Sequence, residues 1–134
     1  MREVLKTLDD TRRAAERIAK KINIGDIILL KGEMGAGKTT ITKTIVKALG
    51  SDAYVTSPTF AIMNVYKAPE MAIYHFDLYR LTKSIDIDTL GLDDYLYDAG
   101  AVSLIEWPEA IESEFKDAKK ISLIKDGELS LIHI

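Results

Sequence analysis

The stretch Gly32-Glu33-Met34-Gly35-Ala36-Gly37-Lys38-Thr39 constrains this chain more than any other. It meets every fixed position of the phosphate-binding pattern G-x-x-x-x-G-K-[ST]. That pattern works only where a strand leads in and a helix leads out, and both signals are present. Asp26 to Lys31 is a short apolar run with the β-branched content of a buried strand. Thr40 to Leu49 carries Ile41, Ile45, Ala48 and Leu49 at helical spacing, and Gly50 stands where such a helix stops. The loop glycines carry no Cβ and admit positive φ, so the backbone can wrap closely around phosphate oxygens. Successive N–H groups then converge at the positive end of the helix. Lys38 supplies a full charge for the β- and γ-phosphates, and the Thr39 hydroxyl suits a magnesium ion. Glu33, Gly35, Ala36, Gly37, Lys38, Thr39 and Thr40 are therefore the expected nucleotide-binding stretch.

Length and composition set the frame for that loop. The chain has 134 residues, enough for one well-formed core, so residues 1–134 read as a single domain. Apolar residues make up 47% and charged residues 29%, as in ordinary globular proteins. With no cysteine there is no disulfide frame, thiol nucleophile or cysteine-based zinc site. The only histidines are His75 and His133, too few for a histidine-rich metal site, so no structural metal is expected. No apolar run reaches membrane-spanning length, and Met1 to Lys6 lacks a signal-peptide layout, so a cytoplasmic location is expected. A net charge of −3 disfavours tight independent binding to bare nucleic acid. The basic pairs Arg12-Arg13, Lys20-Lys21 and Lys119-Lys120 read as solvated faces.

Taken in order, a helix is expected from about Asp10 to Ile22, with Ala15, Ile18, Ala19 and Ile22 on its apolar face and Asp9, Asp10 and Thr11 as caps. After the loop helix, residues 51–60 lack a clear period. Ala61 to Tyr66 and Met71 to Phe76 read as strands around a turn at Lys67 to Glu70, a hairpin that makes the sheet mixed. Asp77 to Ile87 is a connection, and Thr89 to Tyr97 a weak helix with Leu92, Leu96 and Tyr95 as inward candidates. Ala101 to Ile105 is a buried strand, and Pro108 suits the first position of a helix. Asp126-Gly127 between two apolar runs signals a closing hairpin.

Hydrolysis of a nucleoside triphosphate needs a second hold on magnesium and a group that orients water. Asp77 follows Ile73-Tyr74-His75-Phe76, and Glu106 follows Ala101 to Ile105. Each acid ends a strand, and ligands collect at the carboxyl ends of strands in α/β sheets. Their coincidence with the loop makes both candidate catalytic and metal-associated acids, with their roles undivided. Thr59 is a candidate sensor of magnesium or γ-phosphate. Trp107 is a stacking candidate, and His75 fits a core position and a catalytic one equally. Arg80 is the only arginine after the loop. Asn23 and Asn64 are the only asparagines and neither precedes lysine, so no guanine-reading Asn-Lys-x-Asp occurs and ATP is the expected nucleotide.

Taken together, the loop, Ser57-Pro58-Thr59-Phe60, His75-Phe76-Asp77-Leu78-Tyr79-Arg80-Leu81 and Ile105-Glu106-Trp107-Pro108-Glu109 resemble the TsaE (YjeE) family. This is the bacterial ATPase family of tRNA threonylcarbamoyladenosine synthesis. The resemblance covers about residues 25 to 110. It implies an α/β fold of three layers, a P-loop NTPase-like architecture with a mixed, mainly parallel central sheet. It also implies weak ATPase activity with ATP and Mg2+, and work on the TsaB–TsaD pair that transfers threonylcarbamoyl to adenosine 37 of ANN-decoding tRNAs, with tRNA engaged indirectly. Lys38 and Thr39 carry over as phosphate and magnesium contacts. Asp77 carries over as the magnesium-associated acid, and Glu106 as the acid near water and γ-phosphate. Thr59 falls in a switch-like segment, and Trp107 beside nucleotide or partner. Glu33-Met34 stands where Asp-Leu is commonest in the family, a mild change at variable positions.

Two other function classes share the loop. A small ATP-dependent kinase would use the same two acids, but a single arginine after the loop and no evident lid stand against it. A nucleotide-gated binding module would need ATP occupancy and no hydrolysis.

Overall fold

The computed structural model describes residues 2–32, 37–53, 55, 63–78, 91–112, 115–126 and 129–133. Its strands are β1 (Arg2–Leu5), β2 (Ile27–Gly32), β3 (Met63–Lys67), β4 (Ala72–Asp77), β5 (Ala101–Glu106), β6 (Lys119–Asp126) and β7 (Leu129–His133). They form one sheet in the order β1-β7-β6-β2-β5-β4-β3. β6, β2, β5 and β4 pair in parallel at its centre. β3 is antiparallel to β4, β7 to β6, and β1 to β7. Five of the seven strands (β1, β6, β2, β5 and β4) therefore run one way, the mixed and mainly parallel sheet expected.

Helices α1 (Leu8–Lys20) and α2 (Lys38–Ala48) pack together on one face. Strand alternation sends Ile28, Leu30, Leu104 and Ile121 toward them, where they meet Ala14, Ala15, Ile18, Ile41 and Ile45. The opposite face carries Leu29, Phe76 and Ile105 into a second cluster with Leu92, with Leu96 of the short helix α3 (Asp93–Leu96), and with Ile111 and Phe115. Because both faces are covered, all six residues of β5 are buried. Burial of one side chain such as Ile45 stabilises the fold by about 1.5–3 kcal/mol.

Several elements differ from expectation, among them the weak helix expected over Thr89 to Tyr97, which among the described residues is Asp93–Leu96. α1 starts two residues early, because Thr7 is its cap. The Thr7 hydroxyl accepts from the Asp10 N–H at 3.1 Å, and the Asp10 carboxylate accepts from the Thr7 N–H at 3.1 Å. β1 was not expected, and it exists through its pairing with β7 at the far end of the chain. Where a helix is expected at Pro108, the structure has a 3-10 turn, Pro108–Ala110. Tyr95 is exposed rather than inward, its ring edge-on to Tyr74 at 5.3 Å.

α2 ends as Gly50 implied. Gly50 sits at φ 98°, its N–H donates to Lys47 and the Ser51 N–H donates to Val46. A Cβ at Gly50 would stand 3.1 Å from Pro69. Among the described residues no helix is long and apolar enough to cross a membrane.

Candidate functional site

Register assembles the site. In the parallel ladder of β4 and β5, Asp77 lies directly beside Glu106. Glu106 in turn lies beside Leu30, two residues before the end of β2, from which the phosphate-binding loop departs. Asp77 shares a strand face with His75, and Glu106 with Leu104, so both acids project from the face that α2 covers. The ladder is held past its end by the Leu78 N–H, which donates to the Glu106 carbonyl at 3.1 Å.

Gly37 caps α2 in the left-handed conformation (φ 99°), which places Lys38 at the first turn. A Cβ there would meet nothing within 4 Å, so it is the backbone conformation and not crowding that selects glycine. Lys38 is only 6% exposed. Its Nζ donates to the Gly32 carbonyl and stands 3.2 Å from the centre of the Trp107 ring. Burial pulls the Lys38 ammonium below its ordinary range, while Glu106, Glu109 and Asp77 act to raise it. Three carboxylates thus act on one cation. Thr39 is half-buried and Thr40 exposed on the same first turn.

Trp107 follows Glu106 with φ 56° and ψ 59°, the only positive φ outside glycine among the described residues. A left-handed tryptophan is strained by about 1–2 kcal/mol. Such strain persists where surroundings hold it in place, here the Lys38 contact and the proline turn that follows. An open cleft of about 440 Å³ adjoins this corner, lined by Lys31, Gly32, Trp107, Glu109, Ser122, Leu123 and Ile124. At its rim Lys31 holds the Glu112 carboxylate at 3.0 and 3.1 Å.

Of the expected site residues, Gly37, Lys38, Thr39, Asp77, Glu106 and Trp107 converge on this corner, and Thr40 lies one residue beyond. Glu33, Gly35, Ala36, Thr59 and Arg80 lie outside the described residues. Two participants were not identified beforehand. Glu109 acts on Lys38, and its proximity to Trp107 in Ile-Glu-Trp-Pro-Glu is the signal that pointed to it. Tyr66 joins His75 and Glu106 in a buried hydrogen-bonded chain, which alternation along β3 does not reveal.

The arrangement suits a magnesium–nucleotide complex. Magnesium commonly takes one or two carboxylates, a hydroxyl, phosphate oxygens and water. Asp77, Glu106 and the Thr39 hydroxyl sit at the end of the loop helix that would receive the phosphates. An acidic site with a single buried cation repels a bare polyphosphate and accepts one whose charge a divalent ion offsets.

Comparison with known proteins gives the family. Residues 5–130 match the family model described as threonylcarbamoyl adenosine biosynthesis protein TsaE. The TsaE protein of Rickettsia conorii is 39% identical over 109 residues, covering 81% of this chain and 61% of the relative. That of Bacillus subtilis is 37% identical over 117 residues, covering 87% and 72%. This chain therefore spans about three fifths of the length of the Rickettsia relative. The crystal structure of Bacillus subtilis YdiB superposes with a TM-score of 0.77 at 30% identity, covering 98% of this chain and 82% of that one. The fold is the three-layer, P-loop NTPase-like α/β architecture expected, and by family model, identity and structure alike this chain belongs to the TsaE family.

Proposed function

We propose that residues 1–134 act as one ATPase domain that binds ATP with Mg2+ and hydrolyses it slowly. That hydrolysis drives or resets the TsaB–TsaD complex as it threonylcarbamoylates adenosine 37 of ANN-decoding tRNAs. The observation that carries it is the pair Asp77 and Glu106, abreast at the ends of two parallel strands and acting on the buried Lys38. A phosphate cradle alone would bind; two carboxylates beside it support hydrolysis.

In this scheme Lys38 leaves the Gly32 carbonyl and binds β- and γ-phosphate oxygens. The Gly37 amide and those of Glu33, Gly35, Ala36 and Thr40 serve the phosphates. Thr39 and Asp77 would hold the metal, and Glu106 would orient the attacking water and share in the metal site. Thr59 senses the γ-phosphate, and Trp107 flanks the nucleotide. Bound magnesium would neutralise charge on the β- and γ-oxygens as it develops. Arg80 is the only arginine after the loop, which fits slow turnover alone and faster turnover with a partner that supplies a further cation. The net charge of −3 fits a protein that reaches tRNA through the complex, in the cytoplasm, rather than gripping it directly.

Paired variants test this in a reconstituted modification reaction. Lys38→Ala is expected to weaken ATP binding steeply and to lose modification with it. Glu106→Ala is expected to keep ATP binding and to stop after a single round of modification. Many rounds by Glu106→Ala would show that occupancy alone suffices, as in a nucleotide-gated module, and would overturn the hydrolytic role.

A further inference from the structure

Beneath Glu106 lies a histidine that the hydrolytic scheme does not use. His75 is completely buried, and Glu106 is 3% exposed. His75 Nε2 and a Glu106 carboxylate oxygen are hydrogen-bonded. On the other side of the ring, Nδ1 is 3.2 Å from the Tyr66 hydroxyl, which lies 3.4 Å from the Asn64 amide nitrogen. These groups cross three adjacent strands, β3, β4 and β5, on the face that carries both acids.

Donor and acceptor capacities give the chain one direction. An ionised carboxylate only accepts, which assigns the proton to Nε2. A neutral ring then accepts at Nδ1 from the Tyr66 O–H, and the Tyr66 oxygen accepts from the Asn64 amide. A buried carboxylate oxygen needs a hydrogen-bond donor and is free to pivot without one, and a ring held on both edges supplies a fixed one.

We propose that His75 is a positioning residue for the reaction: its Nε2–H, with the ring braced by Tyr66, fixes one Glu106 oxygen and thereby aims the other at the water and metal of the phosphate site. This rests on the hydrolytic role proposed for Glu106. Outer partners of this kind typically contribute about 10- to 100-fold in activity or metal affinity.

His75→Leu, His75→Gln and Tyr66→Phe test it. His75→Gln keeps an N–H donor near the Nε2 position, and His75→Leu keeps only bulk. The expected result is a kcat loss of about 10- to 100-fold in His75→Leu, with the Kd for ATP within about twofold of wild type. His75→Gln should recover most of the kcat, and Tyr66→Phe should fall between. A second readout needs no turnover. With only two histidines, ¹⁵N-histidine NMR of the nucleotide-free protein can be assigned with His75→Gln as reference. His75 is expected to be protonated at Nε2, with its Nδ1 resonance shifted in Tyr66→Phe.

Equal losses in the Leu and Gln variants, or a parallel loss of ATP affinity, would reduce His75 to a core residue. A ring protonated at Nδ1 alone would overturn the assignment even if no leucine variant folds. If Glu106→Gln loses turnover while His75→Leu keeps it, the positioning role fails and the ATPase stands. If Glu106→Gln keeps full turnover, the hydrolytic role itself fails.

Discussion

Replacing Lys38 by methionine should separate ligand binding from folding, because the same burial that suits the lysine to phosphate strains the free protein. Methionine keeps the length and most of the apolar volume while removing the charge. A charge-assisted hydrogen bond contributes about 1.5–3 kcal/mol, so losing the phosphate contact should weaken ATP binding by about 10- to 150-fold. Stability responds differently. The variant loses the bond to the Gly32 carbonyl, again about 1.5–3 kcal/mol, and the contact with Trp107, about 0.5–2 kcal/mol. Against these stands relief of the several kcal/mol that burying an ammonium costs. The terms are of similar size, so the net change near neutral pH should lie within about 1 kcal/mol.

The pH dependence supplies an independent sign. The ammonium titrates below its ordinary 10.5 in the folded protein, with burial as the main cause. Between the folded value and 10.5 the unfolded chain binds more protons at this site than the folded one, so the lysine's contribution to stability rises with pH there. Below the folded value its destabilising effect is fully present. The methionine variant should lack that alkaline rise. The assays are titration with a fluorescent ATP analogue and urea unfolding from pH 7 to 10.5. Unchanged affinity would refute the phosphate role. A stability loss above about 3 kcal/mol would show that Lys38 is a structural ion whose partners outweigh its burial.

Three other outcomes are expected. Asp77→Ala should raise the magnesium concentration for half-maximal ATP turnover by about 10-fold or more, while the surface control Glu16→Ala leaves it unchanged, checked by magnesium titration of the ATPase. Thr7→Ala should lower stability by about 1 kcal/mol in urea unfolding, and Thr7→Asn should not, since asparagine restores the α1 cap. Trp107→Gly should be more stable than Trp107→Ala by about 1 kcal/mol, because both lose the ring and only glycine relieves the left-handed backbone.

What could be read in the amino-acid sequence divides by range of interaction. The strand and helix that flank the loop were legible because Ile27 to Gly50 is one contiguous stretch. The places of Asp77 and Glu106 at strand ends were legible because each follows an apolar run. β1 was not, since Arg2–Leu5 is short, half charged, and held by strand β7 from the other end of the chain. The start of α1 was misplaced because Thr7 and Asp10 cap it with aspartate where glutamate or glutamine is the usual signal. At Pro108, which invited a helix, the chain instead takes a 3-10 turn preceded by the left-handed Trp107, a backbone conformation that sequence pattern does not reveal. His75 offered two equal readings because alternation gives its face and not its neighbour. Only the insertion of β5 between β2 and β4 brings it to Glu106, 31 residues away.

The most direct test of the account is the rate of ATP hydrolysis by the purified chain, alone and with the TsaB–TsaD pair and substrate tRNA. Slow turnover alone, accelerated by the complex and abolished by Glu106→Gln in both settings, is the expected result. Equal rates with and without the complex, or full activity in Glu106→Gln, would contradict it.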